Sequence, residues 1–314
     1  MNRSTIHKDR NTSVPSPTEY FKLLRPKQWI KNFFVFAPLI FAKELFETIP
    51  FFIEVKAFIA FCLTASTIYI LNDMADVEAD RSHPEKRLRP LAARTIPFSH
   101  AYVLVFLLLI CVIVLLRGMD VRFILAIICY FILNVAYSFR LKEVVLLDVF
   151  IIAAGFMLRV LGGAYAINVA VSSWLVLCTM FISLFLGFAK RRSELVMKAE
   201  SGGAYERKVL SLYSVGFIDH MLTISAAGTV ISYALYTVAQ RTVEMFGTDK
   251  MIYTTLFVLF GVFRYLYLVH MSESTENPTK TVTADLTIFM TGLLWIIACI
   301  ILIYAGGVSE LLAR

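Results

Sequence analysis

Residues 69–90 read YILNDMADVEADRSHPEKRLRP. An apolar run ends at Leu71, and a dense polar stretch follows at once: Asn72, Asp73, Asp76, Asp80 and Arg81, then His83, Lys86, Arg87 and Arg89. Successive helical residues turn by about 100°, so acids at i, i+3 and i+7 share one side. With Asn72 the four side chains fit within about a quarter-turn arc. Hard oxygen donors on one face suit a divalent cation, and Mg²⁺ in particular combines a few carboxylates with phosphate oxygens. The cations about one turn on suit the phosphate itself. Asn72, Asp73, Asp76 and Asp80 are therefore candidate metal ligands, and the three acids are candidate catalytic residues. The competing reading is a solvated loop beyond a membrane helix, placed by the positive-inside rule. The helical register of the acids, the leading Asn, and the His-Pro and Arg-Pro dipeptides argue against it. His83 belongs either to the site or to the loop's own structure.

The surrounding chain sets that stretch in a membrane. Its 314 residues are 59% hydrophobic and only 17% charged, with a mean hydropathy of +0.73; soluble chains are about half apolar and about a quarter charged. Apolar runs of about 20 residues recur, each able to cross ~30 Å of hydrocarbon. The expectation is an all-α integral membrane protein, a single bundle of about nine transmembrane helices. The spans read as 33–45, 51–71, 100–117, 121–138, 146–166, 171–189, 216–238, 251–270 and 286–305. Residues 1–19 read as a disordered polar tail without a signal-peptide apolar core, and 20–314 as one catalytic membrane domain. No nucleic-acid partner is expected, and homo-oligomerisation is left open. The five cysteines all lie in apolar runs without metal-like spacing, which fits packing. Residues 20–31 (YFKLLRPKQWIK) fit an interfacial helix on an anionic leaflet. Equally, Arg25, Lys27, Gln28, Lys31 and Asn32 could line a site.

Orientation follows from Lys and Arg. With the amino terminus inside, 21 of the 30 fall on its side of the bilayer and seven on the other. That asymmetry predicts a cytoplasmic site, in the compartment that holds Mg²⁺ and phosphorylated metabolites.

Three further constellations could carry chemistry. Asp148, Ile152, Gly155, Arg159 and Gly162 share one helical stripe, with small residues that admit a ligand or another backbone. Asp148 and Arg159 are about 16 Å apart along the axis, too far to pair with each other. Ionisable groups inside a bilayer are costly and read as functional, unless each pairs with a neighbouring helix. Tyr137, Ser138, Arg140 and Lys142 make a cytoplasmic corner, in which Lys142 is a candidate catalytic residue. Lys190, Arg191, Arg192 and Glu194 end the sixth span. Lys190 and Glu194 form an i, i+4 surface pair, or the cations hold a phosphate. Arg264 is either a partner for another helix or an anion ligand.

Together these residues resemble the UbiA superfamily of intramembrane prenyltransferases, and within it the decaprenyl-phosphate phosphoribosyltransferase subfamily. The resemblance rests on LRPKQWIKN (24–32), NDMADVEADRSHPEKRLRP (72–90), YSFRLK (137–142), Asp148 with GFMLRVLGGA (155–164), KRRSEL (190–195) and RYLYLVH (264–270). One departure is informative: ordinary members carry a second Asp-rich motif where this chain has Lys190-Arg191-Arg192-Ser193-Glu194. Cations there suit a second anion that lacks its own metal.

The resemblance implies Mg²⁺-dependent transfer of 5-phosphoribosyl from phosphoribosyl diphosphate to a polyprenyl phosphate. Such a reaction belongs to cell-envelope biosynthesis at a bacterial inner or plasma membrane. Lys31, Asn72, Arg81, Lys86, Arg87, Arg89, Tyr137, Asp148, Arg159, Lys190, Arg191 and Glu194 are then candidate substrate-binding residues. Two other readings remain: prenyl transfer from a prenyl diphosphate to an aromatic or other acceptor, and a non-enzymatic transporter. Transporters bind at broken helices near the midplane, often across inverted repeats; here no repeat is evident and charge concentrates at one face.

Overall fold

A computed structural model describes residues 15–82, 85–201, 208–271 and 285–312. The expectations for the start of the tail and for His83 lie outside them. Helix α1 (Pro17–Leu24) opens on a proline, whose missing N–H is no loss in a first turn. It stops at Arg25, which has a left-handed φ of 52°. A 3₁₀ run over Pro26–Phe36 and the short helix α2 (Ala37–Phe41) follow. This discontinuous piece occupies the expected first span. Pro26 and Pro38 each remove a backbone donor where they stand, so one unbroken helix does not form.

Beyond it come α3 (Thr48–Ala75), α4 (Val77–Ser82), α5 (Phe98–Leu116), α6 (Val121–Phe139), α7 (Leu147–Ala166) and α8 (Ser173–Ser201). Then follow α9 (Val215–Val238), α10 (Gln240–Phe246), α11 (Thr255–Met271) and α12 (Leu286–Leu312). Among the described residues there is no strand, and eight helices are long and apolar enough to cross a bilayer: α3, α5, α6, α7, α8, α9, α11 with the turn before it, and α12. α3 has 28 residues, about 42 Å at 1.5 Å each, against ~30 Å of hydrocarbon. Its polar end with Asn72 and Asp73 therefore reaches the rim. α8 is one residue longer and continues through Lys190–Glu194, so that charged segment is helical rather than a loop.

α3 and α7 are the most enclosed of the eight, whereas α5 and α12 keep most of their side chains outside the bundle. Phe106, Ile113, Phe289 and Leu294 are among the exposed apolar side chains, as expected of a surface facing lipid. One core joins the 3₁₀ run to α3, α5 and α6 through Val35, Phe61, Val112 and Phe123. A second joins α7, α8, α9 and α11 through Val149, Phe185, Leu222 and Val262. α7 closes on the first half through small residues. A Cβ on Gly163 would collide with the Val35 carbonyl and the Glu54 carboxylate, and one on Gly162 with the Phe61 ring. All five cysteines are free; Cys62 and Cys299 are buried, but Cys111 and Cys129 face outward.

Residues 20–31 do not form one helix, since α1 ends at Leu24 and the 3₁₀ run starts at Pro26; Phe21 and Ile30 are exposed, while the other face is tied to α3. Leu23 is fully buried, the Trp29 indole donates to Ser66 Oγ at 3.0 Å, and Ser66 donates to the Leu24 carbonyl at 2.7 Å. Van der Waals packing and interhelical hydrogen bonds hold the segment against α3.

Candidate active site

The ends of α3, α6 and α8, the start of α7, and the turns that follow α3 and α6 converge at one end of the bundle. Asp73, near the end of α3, is 2% exposed. Its Oδ1 accepts from Arg25 at 2.5 Å and from Arg89 Nη1 at 3.1 Å. The same Arg89 nitrogen donates to Asp80 Oδ2 at 2.7 Å. The i and i+7 acids of the motif thus meet on one guanidinium. They do so although the helix is not continuous: α3 ends at Ala75, Asp76 caps it, and α4 starts at Val77. The expected single helical face is corrected to two helices in near-register, joined by Asp76 N–H to Asn72 O (2.9 Å) and Asp80 N–H to Asp76 O (2.8 Å). Asp76 turns to a different partner, Lys142 Nζ, at 3.1 Å.

The remaining basic residues of the motif divide. Arg81 pairs with the exposed Glu78 at 2.7 Å. Arg87 is exposed, while Lys86 and Asn72 are half-buried. Arg25, weighed at first only as one possible lining residue, proves to be the closest partner of Asp73. Its position on an αL residue before Pro26 carries no sequence signature of that contact.

A second cluster surrounds Asp148, which is fully buried. Its Oδ2 accepts from Arg191 Nε at 2.6 Å and its Oδ1 from the Tyr213 hydroxyl at 2.7 Å. Arg191, also fully buried, donates to Glu194 as well and reaches the Tyr137 hydroxyl at 3.4 Å. Tyr213 accepts from the Leu146 N–H at 2.6 Å, and Leu146 has a positive φ of 67°. Burial, followed by the bond to Asp148, pushes the Tyr213 hydroxyl well above its ordinary pKa. The expected triple cation does not form a single cradle. Lys190 lies 3.9 Å from Glu194, Arg191 binds Asp148, and Arg192 binds Asp219 at 2.7 Å and the Val269 carbonyl at 2.7 Å. Successive residues on a helix point about 100° apart, so the three cations tie α8 to different neighbours. Arg264 pairs with Asp285 at 2.9 Å, the helix-partner alternative of the two.

The third group lies deeper. Arg159 donates from Nε to Asn32 Oδ1 (2.7 Å), from Nη1 to the Gly155 carbonyl (2.8 Å) and from Nη2 to the Tyr130 hydroxyl (2.7 Å). It also lies 4.6 Å from the Tyr130 ring centre. Lys31, in the 3₁₀ run, has its amine pushed down to about 8 by burial, and further by Arg159 and Arg25.

Among the described residues, no group of three or more His, Cys, Asp or Glu side chains is gathered as a metal cluster. The donor set still fits Mg²⁺. Asp73 and Asp80 present hard oxygens to the same nitrogen, and Mg²⁺ usually takes only one or two carboxylates beside substrate phosphates.

The sequence model of the UbiA prenyltransferase family matches residues 33–291. A decaprenyl-phosphate phosphoribosyltransferase of Corynebacterium glutamicum is 34% identical over 90% of this chain and 86% of its own. One of Mycolicibacterium smegmatis is 39% identical over 68% of this chain and 69% of its own. A UbiA homolog of Archaeoglobus fulgidus, solved with GPP and Mg²⁺, superposes with a TM-score of 0.67 at 18% identity, covering 91% of this chain and 98% of that one.

Proposed function

Because the chain belongs to the UbiA prenyltransferase family, we propose that it is a membrane-embedded transferase that moves a 5-phosphoribosyl group from phosphoribosyl diphosphate to a polyprenyl phosphate. The observation that carries this reading is the convergence of Asp73 and Asp80 on Arg89, beside Asp76 on Lys142. Relatives named as decaprenyl-phosphate phosphoribosyltransferases over most of the chain support it. The closed Asp148–Arg191–Glu194 cluster supports it too, because among the described residues its carboxylates are already engaged by Arg191 rather than free to clamp a prenyl diphosphate.

A diphosphate entering this end of the bundle competes with the carboxylates for Arg25, Arg89 and Lys142. Asp73, Asp76 and Asp80, with Asn72 beside them, are the oxygens that would hold Mg²⁺, which supplies charge neutralisation at the departing diphosphate. Arg89 and Lys142 add fixed positive charge at the same place. The ribose C1–O bond breaks with its electron pair leaving on the diphosphate, while an oxygen of the lipid phosphate bonds C1 from the opposite side, which inverts that carbon. A phosphate monoester is anionic at neutral pH and needs no strong general base. The bias of Lys and Arg toward this end supports a cytoplasmic site.

The test is incubation of purified protein with labelled phosphoribosyl diphosphate and a panel of polyprenyl phosphates, with mass spectrometry of the lipid product. A parallel incubation uses labelled prenyl diphosphate and an aromatic acid. Transfer only in the first, lost on chelation and in Asp73→Asn while the protein still purifies normally, is the expected result. Product only in the second replaces this reading with prenyl transfer.

A further inference from the structure

Around the site, among the described residues, charge accounting leaves Arg159 and Lys31 without a carboxylate partner, while Glu54, buried beside Gly163 and Val35, is a carboxylate without a hydrogen-bond partner. Asp73 is shared by Arg25 and Arg89, Asp76 takes Lys142, and Asp148 and Glu194 take Arg191. Arg159 and Lys31 make no ion pair among the described residues. Arg159 is 5% exposed, and every partner it has is neutral: an amide oxygen, a backbone carbonyl and a phenol. A guanidinium cannot shed its proton inside a protein, so its charge persists among apolar walls that include Phe156, whose ring centre is 5.2 Å away. Three of its five N–H groups are used, which leaves two donors. Lys31 immediately precedes Asn32, whose amide oxygen accepts from Arg159 Nε at 2.7 Å, so both cations belong to the contact between the 3₁₀ run and α7.

Two like charges held together in a bilayer are expensive unless an anion sits between them. The place is also next to the chemistry. The Arg25 guanidinium lies 5.2 Å from the Tyr69 ring centre, and Tyr69 precedes Asp73 by one helical turn.

We infer that Lys31 and Arg159, with Asn32 and Tyr130 orienting the guanidinium, form an anion subsite for a phosphate monoester, distinct from the diphosphate site at Asp73, Asp76 and Asp80. This rests on the transferase reading, whose two substrates each carry such a group: the ribose 5-phosphate of the donor and the phosphate head of the lipid acceptor. The bidentate geometry of Arg and the point charge of Lys both suit a dianionic phosphate. It also assigns the second anion to this pair rather than to Arg191, whose charge is already matched.

Binding measurements on detergent-purified full-length protein separate the sources. The probes are ribose 5-phosphate, farnesyl phosphate, and inorganic pyrophosphate with Mg²⁺. In Lys31→Gln and in Arg159→Lys, the affinity for one or both monoesters should fall at least ~10-fold, while that for Mg²⁺–pyrophosphate stays within about twofold. Loss confined to ribose 5-phosphate assigns the subsite to the donor, and loss confined to farnesyl phosphate assigns it to the acceptor. Unchanged affinity for both monoesters overturns the subsite. So does an equal loss for pyrophosphate, which marks a general structural role. Should wild-type protein transfer no phosphoribosyl group, the proposed reaction falls, whereas monoester binding that depends on Lys31 still supports the subsite.

Discussion

Arg89 is the side chain on which the acidic motif closes, since a single Nη1 serves both Asp73 and Asp80. Arg89→Gln leaves Asp80, 3% exposed, without its charged partner. Losing such a bond costs about 1.5–3 kcal/mol, and weakening charge stabilisation of a leaving group costs roughly 100-fold in turnover. Thermal unfolding in detergent and steady-state kinetics should show both. Lys31 gives a pH signature. Its folded pKa of about 8 lies below the ordinary 10.5, so between those values the unfolded chain binds more protons. Stability therefore rises with pH across that window. An anion bound by the protonated amine should be released over the same range. After burial, the charges of Arg159 and Arg25 are what lower the Lys31 pKa. Melting curves from pH 7 to 10 check the first statement; the slope should flatten in Lys31→Gln.

At the scale of elements, the corner between α6 and α7 is held from below. Lys142 reaches Asp76 from the turn that ends at Leu146, and Leu146 keeps a positive φ while its N–H donates to the Tyr213 hydroxyl, which in turn donates to Asp148. α7, α8 and the turn before α9 thus meet at one carboxylate. Asp148→Asn removes the charge that Arg191 Nε answers, leaving a fully buried guanidinium with Glu194, which is partly exposed. Breaking a buried pair is costlier than forming it is favourable, and a loss of roughly 3 kcal/mol is expected. Glu194→Gln should cost less. Comparing the unfolding midpoints of the two variants decides the order.

For the whole molecule, the bias of Lys and Arg toward one side makes orientation testable. Glu78, 83% exposed on its side chain and next to the acidic motif, offers a reporter. A Glu78→Cys variant in a cysteine-free background should react with an impermeant maleimide in inside-out vesicles and stay protected in right-side-out ones. The reverse pattern would put the site on the outer face.

Much of this architecture was legible in the chain because its causes are local. Apolar runs of bilayer length define helices wherever they occur, and the spacing of Asp73 and Asp80 places them on one side even across the break at Asp76. The first span was harder to read, since Pro26 and Pro38 break what hydropathy alone would join. Partners were beyond reach. Arg191 and Asp148 are 43 positions apart, Lys142 and Asp76 are 66, and Arg159 meets Asn32 across 127. Run length and periodicity say that a charged side chain must find company in a bilayer, where water cannot supply it; only the packing of one helix on another selects which group that is. The sequence therefore determined a membrane bundle with an acidic, Mg²⁺-suited rim. Tertiary structure alone decided which cations those acids neutralise and that the buried Arg159 meets only neutral partners.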